Sequence, residues 1–356
     1  MLAAIDAAGE SVRLEMYIFH PSPSADKFRQ ALIGACQRGL RVQVLVDALG
    51  SINLPDSYWE LFRVSGGEFR WFNPLNLNRL AFRDHRKLLV CDDKVAFIGG
   101  FNVASEYCGD GIKSGWRDLG LKICGALAQE LATAFDEMFA CADFKPKPFT
   151  RLRKSALVRT VHAPEGKLLL SGPGRNNPIK RALRNDLRAA RGAQIICSYF
   201  LPPWRLRHEL IRLARRGGKV QLILPAKTDV PLSRLAAQSF YRRLLRAGIE
   251  IYEYQPQILH AKLFVMDDIV YAGSANLDTR SFNINYELLV RLPNKKLADE
   301  AREIFSEVIS HCQKIEWRTW RKSRSFWERM KARCAHFILA RLDLAVARQL
   351  WKMLRP

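Results

Sequence analysis

The sequence predicts an α/β fold in two lobes, a duplicated α-β-α sandwich, and three observations carry that expectation. The first is a matched pair of motifs. His85, Lys87 and Asp92 follow the spacing H-x-K-x4-D and are trailed by Gly99, Gly100 and Asn102. His260, Lys262 and Asp267 repeat it and are trailed by Gly273, Ser274 and Asn276. A chain with seven histidines would show this spacing by chance about 0.03 times. The second observation is a strand–helix–strand order upstream of each motif, which implies parallel pairing. The third is an aligned junction: Arg38-Gly39-Leu40-Arg41-Val42 matches Arg216-Gly217-Gly218-Lys219-Val220. Together they read as an internal duplication of about 150 residues per copy.

Taken in order, residues 2–8 read as the end of a helix. Ser11–Phe19 alternates as a strand, with Val12, Leu14, Met16 and Ile18 on one face. A helix from about Ala25 to Arg38 places Phe28, Leu32 and Cys36 together and ends at Gly39. Arg41–Asp47 is a buried strand, Ser57–Ser65 a helix, and Glu68–Phe72 a strand. In the second copy Ala193–Phe200, Lys219–Leu224 and Ile249–Tyr254 are strands. Leu206–Arg216 and Ser233–Arg246 are helices, ended by Gly217 and Gly248. Helices near 126–140 and 296–312 follow the two motifs. The second copy opens with an extra strand and helix, Lys167–Ser171 and Pro178–Ala190, where the first has only a helix stub. The expected organisation is therefore a first repeat over 1–144, a linker over 145–166, a second repeat over 167–313 and a tail over 314–356.

At 356 residues and 48% apolar content, the chain can bury large cores. Its 57 Lys and Arg against 35 Asp and Glu leave a formal charge of +22, which points to polyanionic partners: nucleic acid, an anionic membrane or phosphorylated substrates. The linker is basic and broken by prolines, with Lys145, Lys147, Arg151, Arg153, Lys154 and Arg159. The tail from Trp317 holds eleven Lys and Arg, two acidic residues and four of the eight tryptophans. Trp320, Trp327, Met330, Cys334, Ile338 and Leu342 recur at helical spacing. Such a helix suits an interfacial membrane anchor, or it packs on the body through that same stripe. Eight cysteines without a C-x-x-C pair read as reduced, mostly buried thiols. No apolar run reaches the length of a membrane span, and the first residues lack the pattern of a signal peptide. No His, Cys, Asp or Glu grouping has metal-ligand spacing, so neither a metal nor another cofactor is expected.

On a strand, residues two apart share a face, so each motif His and Lys point the same way. The motif Asp lies about 17 Å from the Lys and is expected to brace the turn that follows. The small residues after each returning strand let Asn102 and Asn276 approach the His and Lys. Two facing copies supply two imidazoles, two ammonium groups and two amides. That inventory fits metal-free phosphoryl transfer: one imidazole attacks phosphorus, the other manages the proton, and Lys and Asn neutralise the non-bridging oxygens. Five residues separate Asp267 from Gly273 where six separate Asp92 from Gly99, which puts the placement of Ser274 and Asn276 in question.

These residues resemble the phospholipase D superfamily, defined by duplicated H-x-K-x4-D motifs with a following G-[GS]-x-N. Within it the chain is most similar to bacterial cardiolipin synthases of the type lacking N-terminal transmembrane helices. That likeness rests on Asp84-His-Arg-Lys-Leu-Leu-Val, Ala96-Phe-Ile-Gly-Gly-Phe-Asn, Ser198-Tyr-Phe-Leu-Pro and Gly273-Ser-Ala-Asn-Leu-Asp. The resemblance implies a phospholipase D-like fold with central mixed sheets and the active site between the lobes. It implies a ping-pong reaction in which His85 or His260 attacks phosphatidylglycerol, releases glycerol and passes the phosphatidyl group to a second lipid. The amino-terminal histidine is usually the nucleophile, which points to His85. It also implies an acidic residue that orients an imidazole: Glu287 in the second copy, with Asp118 as its first-copy equivalent. The implied partner is an anionic membrane of phosphatidylglycerol and cardiolipin, with the protein peripheral on the bacterial inner membrane and no stable protein partner. A phospholipase D-type hydrolase or a nuclease of the same superfamily is the competing reading, and a degenerate membrane scaffold a third.

Overall fold

The computed structural model describes residues 1–74, 82–142, 157–174 and 176–342. Most of the linker, from 143 to 156, and the tail beyond 342, with Trp351, lie outside the described residues. After a short helix, Leu2–Asp6, the first sheet has six strands: β1 (Ser11–Met16), β2 (Arg41–Asp47), β3 (Glu68–Phe72), β4 (Leu88–Cys91), β5 (Val95–Gly99) and β6 (Gly120–Cys124). Their order is β3-β2-β1-β4-β5-β6. β1 to β3 pair in parallel; β4 to β6 join antiparallel. Helix Pro23–Gln37 makes the β1-to-β2 crossover and is capped by Ser22, whose hydroxyl accepts from Ala25 N. Gly39 leaves that helix at φ 85°, a conformation open to glycine without strain.

The second lobe repeats this order with additions. Its strands are β7 (Arg159–Ala163), β8 (Gly166–Ser171), β9 (Gly192–Ile196), β10 (Lys219–Pro225), β11 (Glu250–Tyr254), β12 (Leu263–Met266), β13 (Ile269–Gly273), β14 (Glu287–Pro293) and β15 (Cys312–Lys314). The order is β15-β11-β10-β9-β12-β13-β14-β8-β7, so β11-β10-β9-β12-β13-β14 reproduces the whole first sheet. The extra strand and helix expected at the start of this copy are β8 and Pro178–Ala189. The stretch read as a linker contributes β7, which pairs antiparallel with β8 and carries part of the basic run.

The one-residue difference between the hairpins is absorbed entirely in the turn. Leu88, after Lys87, pairs with Ile98, before Gly99; Leu263, after Lys262, pairs with Ala272, before Gly273. The register is thus the same in both lobes, and Ser274 and Asn276 are not displaced. The first turn carries two residues in the left-handed region, Asp92 (φ 54°) and Asp93 (φ 55°); the second carries one, Asp267 (φ 49°). Aspartate tolerates that region better than most residues.

The lobes share a core. Helix Ala126–Ala140 buries Leu127, Ala128, Leu131, Ala132, Ala134, Phe135, Met138 and Phe139, so it is apolar around most of its circumference. Its cluster includes Val90 and Ile98 of the first sheet and Leu168, Leu170, Leu288 and Val290 of the second. The equivalent helix, Lys295–Ser310, buries only Ala298, Ala301, Phe305 and Val308 and stays amphipathic. One copy's helix is therefore packed between the two sheets, and its twin lies on the outside. Three of the eight cysteines, Cys36, Cys91 and Cys197, are buried, while Cys108, Cys124 and Cys334 are exposed, so burial is less general than expected. No described helix is long and apolar enough to cross a membrane.

The tail forms helices Trp317–Ser323 and Phe326–Phe337. The second starts with a capping box: Ser325 Oγ accepts from Glu328 N, and Glu328 accepts from Ser325 N at 2.8 Å. It packs on helix Pro231–Arg246, but not through the expected stripe. The body-facing residues are Ala332 and Ala335, whereas Trp327, Met330, Cys334 and Ile338 are exposed. Of that stripe's residues, Trp320 turns inward, against Tyr241.

Candidate active site

Each motif histidine is carried into the site by a bridge to the other lobe. His85 N donates to Tyr286 O at 3.0 Å, and Tyr286 N donates to Arg83 O at 2.9 Å. In the mirror arrangement His260 N donates to Arg117 O at 2.7 Å, and Arg117 N donates to Ile258 O at 2.8 Å. Tyr286 and Arg117 each directly precede, or nearly precede, an acidic residue. The carboxylates are thereby exchanged between lobes. Glu287 Oε2 lies 3.1 Å from His85 Nδ1, and Asp118 Oδ2 lies 2.7 Å from His260 Nδ1. A carboxylate on Nδ1 holds the proton there and turns Nε2 toward the opening. The sequence named Glu287 and Asp118 as imidazole-orienting residues without saying which imidazole each serves; the structure gives each to the opposite copy, because the bridges at Tyr286 and Arg117 carry the following carboxylate across to the other lobe's histidine.

The two halves are not identical. Ser274 donates to Glu287 Oε2 at 2.5 Å, Ser281 to Oε1 at 2.8 Å. The first lobe has Gly100 where the second has Ser274, and a Cβ there would meet Asp118 Oδ1 at 2.3 Å. Asp118 lies too close to Gly100 for a side chain, so a glycine is required. Lys87 Nζ donates to His85 O at 2.6 Å and sits 5.0 Å from the centre of the Tyr17 ring, a cation–π placement. Lys262 Nζ donates to His260 O at 2.5 Å and to Ser198 Oγ at 3.2 Å, and lies 2.9 and 3.0 Å from the two ring nitrogens of His260.

His85 and His260 face a common cavity of about 350 Å³ with Asn102, Asn276 and Arg280 on its wall. Asn102 is tied down, accepting from Ile18 N at 3.0 Å and donating to Tyr107 Oη at 2.6 Å. The buried Asn276 Oδ1 has no hydrogen-bond partner among the described residues, so this oxygen can still accept from a ligand hydroxyl. Tyr107 and Trp116 stand 5.4 and 5.5 Å from the His260 ring. Both come from the longer loop that follows Asn102, and no motif marks them. Arg280 and Ser281, on the short helix Thr279–Asn283, were also missed, since a lone Arg and Ser in an unpatterned stretch carry no signal.

Asp92 and Asp267 are not brought into the site. Asp92 accepts from Gly9 N, Glu10 N and Ser11 N at 2.8–3.0 Å, and Asp267 from Arg191 N and Gly192 N. Each clamps the start of the neighbouring strand, β1 or β9, at the far end of the sheet.

Electrostatics follow from burial. Burial, then Lys87 and Lys262, hold His85 well below its ordinary value. Burial and Lys262 lower His260 too, while Asp118 opposes them. Burial brings Lys87 down to about 7 despite Glu287, and pushes Glu287 up to about 7 despite Lys87. Burial also lowers Lys262, against Asp118. At neutral pH burial and the two lysines leave His85 neutral, and Asp118 leaves His260 better able to hold a proton.

The family model for the phospholipase D-like domain of cardiolipin synthase matches residues 1–139 and 183–309. Cardiolipin synthase 1 of Bacillus cereus is 31% identical over 339 residues, which cover 90% of this chain and 66% of that protein. A cardiolipin synthase of Clostridium perfringens is 32% identical, with 90% and 70% covered. Cardiolipin synthase A of Pseudomonas putida is 32% identical, with 88% and 67% covered. The chain thus spans about two thirds of the length of these relatives. Among solved structures, phosphatidylserine synthase of Haemophilus influenzae superposes with a TM-score of 0.75 at 18% identity, over 97% of this chain and 91% of that one. Polyphosphate kinase of Porphyromonas gingivalis superposes with a TM-score of 0.57 at 16% identity, over 100% and 53%. At these identities the likeness is one of fold.

Proposed function

This chain belongs to the cardiolipin synthase family of phospholipase D-like proteins, and we propose that it is a phosphatidyltransferase that joins two phosphatidylglycerols and releases glycerol at the surface of an anionic bacterial inner membrane. The observation that carries this reading is the exchanged pairing of His85 with Glu287 and His260 with Asp118 around one cavity. Nε2 of His85 attacks phosphorus, and the bond from phosphorus to the glycerol oxygen breaks. His260 gives that oxygen its proton. His260 then takes the proton of a second lipid's hydroxyl, whose oxygen attacks phosphorus as the bond to His85 breaks. Lys87, Lys262 and the side-chain amide N–H of Asn276 face the non-bridging oxygens as charge develops. Both lysines donate to backbone carbonyls on one side, which fixes where their remaining N–H bonds point.

Purified protein incubated with phosphatidylglycerol vesicles, with and without phosphatidylethanolamine, should yield cardiolipin and free glycerol by mass spectrometry. Phosphatidic acid instead would make water the acceptor. Cleavage of DNA with no lipid product would replace this reading with a nuclease.

The pH profile is a second check. Below about 7 Glu287 takes a proton and no longer stabilises an imidazolium at His85. Above about 7 Lys87 loses its charge and releases the phosphate oxygens. A bell-shaped kcat/KM with its maximum near neutrality is expected, its limbs belonging to the Lys87–Glu287 pair as a unit. A profile flat across neutrality would show that neither group titrates in the free enzyme.

A further inference from the structure

We propose that the tail carries a second, non-catalytic site for the phosphate of an anionic phospholipid headgroup, beside an apolar helix face that enters the lipid layer. The proposal rests on the lipid reading of the catalytic cavity and adds a site distinct from the one that holds His85 and His260. A pocket of about 190 Å³ lies where the tail crosses helix Pro231–Arg246. Five guanidinium groups line it: Arg242, Arg321, Arg324, Arg329 and Arg333. The one carboxylate on its wall, Glu328, is engaged in the capping box and lies 3.6 Å from Arg324. Arg242, Arg321 and Arg333 form no ion pair among the described residues. Like charges gathered in this way repel one another, and a phosphate diester would relieve them while accepting forked hydrogen bonds. Trp317 and Trp320 complete the wall, with Arg324 stacked 4.0 Å from the Trp320 ring. Amphipathic indoles beside cations are the residues that settle at the headgroup level.

The helix itself gives the second, independent observation. Phe326–Phe337 has two apolar stripes. Ala332 and Ala335, small and buried, meet the body. Phe326, Trp327, Met330, Phe337 and Ile338 face outward, with exposures of 66, 72, 36, 56 and 41%. Helical spacing brings Trp327, Met330, Cys334 and Ile338 onto one line, and a helix that packs through alanines while leaving its large side chains outside suits a partner that is itself apolar. Positive charge flanking that line selects an anionic lipid surface over a neutral one. One residue past Ile338, Leu339 lines the catalytic cavity. The lipid that the stripe touches would therefore be contiguous with the mouth of the active site.

The test uses the full chain and vesicles of phosphatidylcholine, alone or mixed equally with phosphatidylglycerol, read by co-sedimentation. Arg321→Gln/Arg333→Gln should weaken binding to the mixed vesicles roughly thirtyfold and leave weak binding to phosphatidylcholine unchanged. Trp327→Ser/Ile338→Ser should weaken binding to both. All variants should keep wild-type turnover of a water-soluble short-chain phosphodiester, which shows that the cavity is intact. Unchanged vesicle binding in the arginine variant overturns the proposal. Lost protection by inorganic phosphate in a thermal melt, with vesicle binding intact, also overturns it and marks a site for free phosphate. Weakened vesicle binding in a protein whose wild type transfers no phosphatidyl group would sustain the tail site and refute the catalytic reading alone.

Discussion

His85→Ala should reduce phosphatidyl transfer by on the order of 10⁴-fold or more and leave no phosphorylated enzyme, whatever the leaving group. His260→Ala should lower transfer from phosphatidylglycerol as severely, but with a different signature. Glycerol is a poor leaving group and needs the proton that His260 supplies; p-nitrophenol does not. A p-nitrophenyl phosphodiester should therefore still release its phenol once per molecule of His260→Ala enzyme. The phosphohistidine should then persist, because no base activates the acceptor. Quenched-flow and intact-mass measurements separate the two variants. The geometry predicts this direction: burial, then the Lys87 and Lys262 ammonium groups, drive His85 toward the neutral nucleophilic form, whereas Asp118, at 2.7 Å, helps His260 retain a proton. If His85→Ala instead accumulated the phosphoenzyme, the two roles would be reversed. Retained lipid transfer in either variant would refute a mechanism that uses both motifs.

Glu15→Ile should destabilise the fold by about 3–5 kcal/mol in urea denaturation, and adding Arg86→Leu should restore most of the loss. Glu15 on β1 and Arg86, between the motif His and Lys, meet at 3.0 Å with both side chains no more than 1% exposed. Neither Glu15 oxygen accepts an aligned N–H, Arg86 Nε and Nη2 are likewise unsatisfied, and the buried Asp84 carboxyl shares a side-chain hydrogen bond with Glu15. Burial raises the Glu15 carboxyl above its ordinary range, opposed by Arg86. Such a pair contributes little net stability, yet removing one partner strands a buried charge. The second lobe shows the apolar alternative. Glu15 pairs with Leu88, and Ile196 pairs with Leu263, so Glu15 and Ile196 are equivalent, as are Arg86 and Ala261. His260 is thus held over an apolar base and His85 over an ionic one. A double variant no more stable than Glu15→Ile would show that this network does more than hold β4 to β1.

The duplication was legible because each copy repeats local patterns. Strand periodicity, glycine-ended helices and the H-x-K spacing are all read within a few residues, and β2 and β3 match their sequence expectation residue for residue. Cys91 and Leu88 could be placed on buried strands for the same reason. β6, β7, β14 and β15 were missed: β6 is mostly exposed, β7 fell in the basic stretch read as a linker, β15 has three residues, and β14 is buried on both faces and so shows no alternation. The tail was legible as a helix with an apolar stripe, but periodicity cannot tell which of two stripes meets the body. The alanines that do so are too small to register as a core signal, and close helix packing is what small residues permit.

By itself the sequence determined that there are two copies of one unit, that His85 shares a face with Lys87 and His260 with Lys262, and that the motif aspartates lie too far along the strand to join them. These follow from the two-residue period of a strand, which any short window displays. The tertiary structure decided which carboxylate serves which imidazole. Glu287 lies 202 residues from His85, and Asp118 lies 142 from His260, and each reaches across to the other lobe. It also decided that helix Ala126–Ala140 is packed between the sheets while its twin is not, and that one missing residue falls harmlessly in a turn. The first two depend on how two sheets stack over long separations, which no local pattern encodes; the third is a hairpin register that spacing alone leaves open.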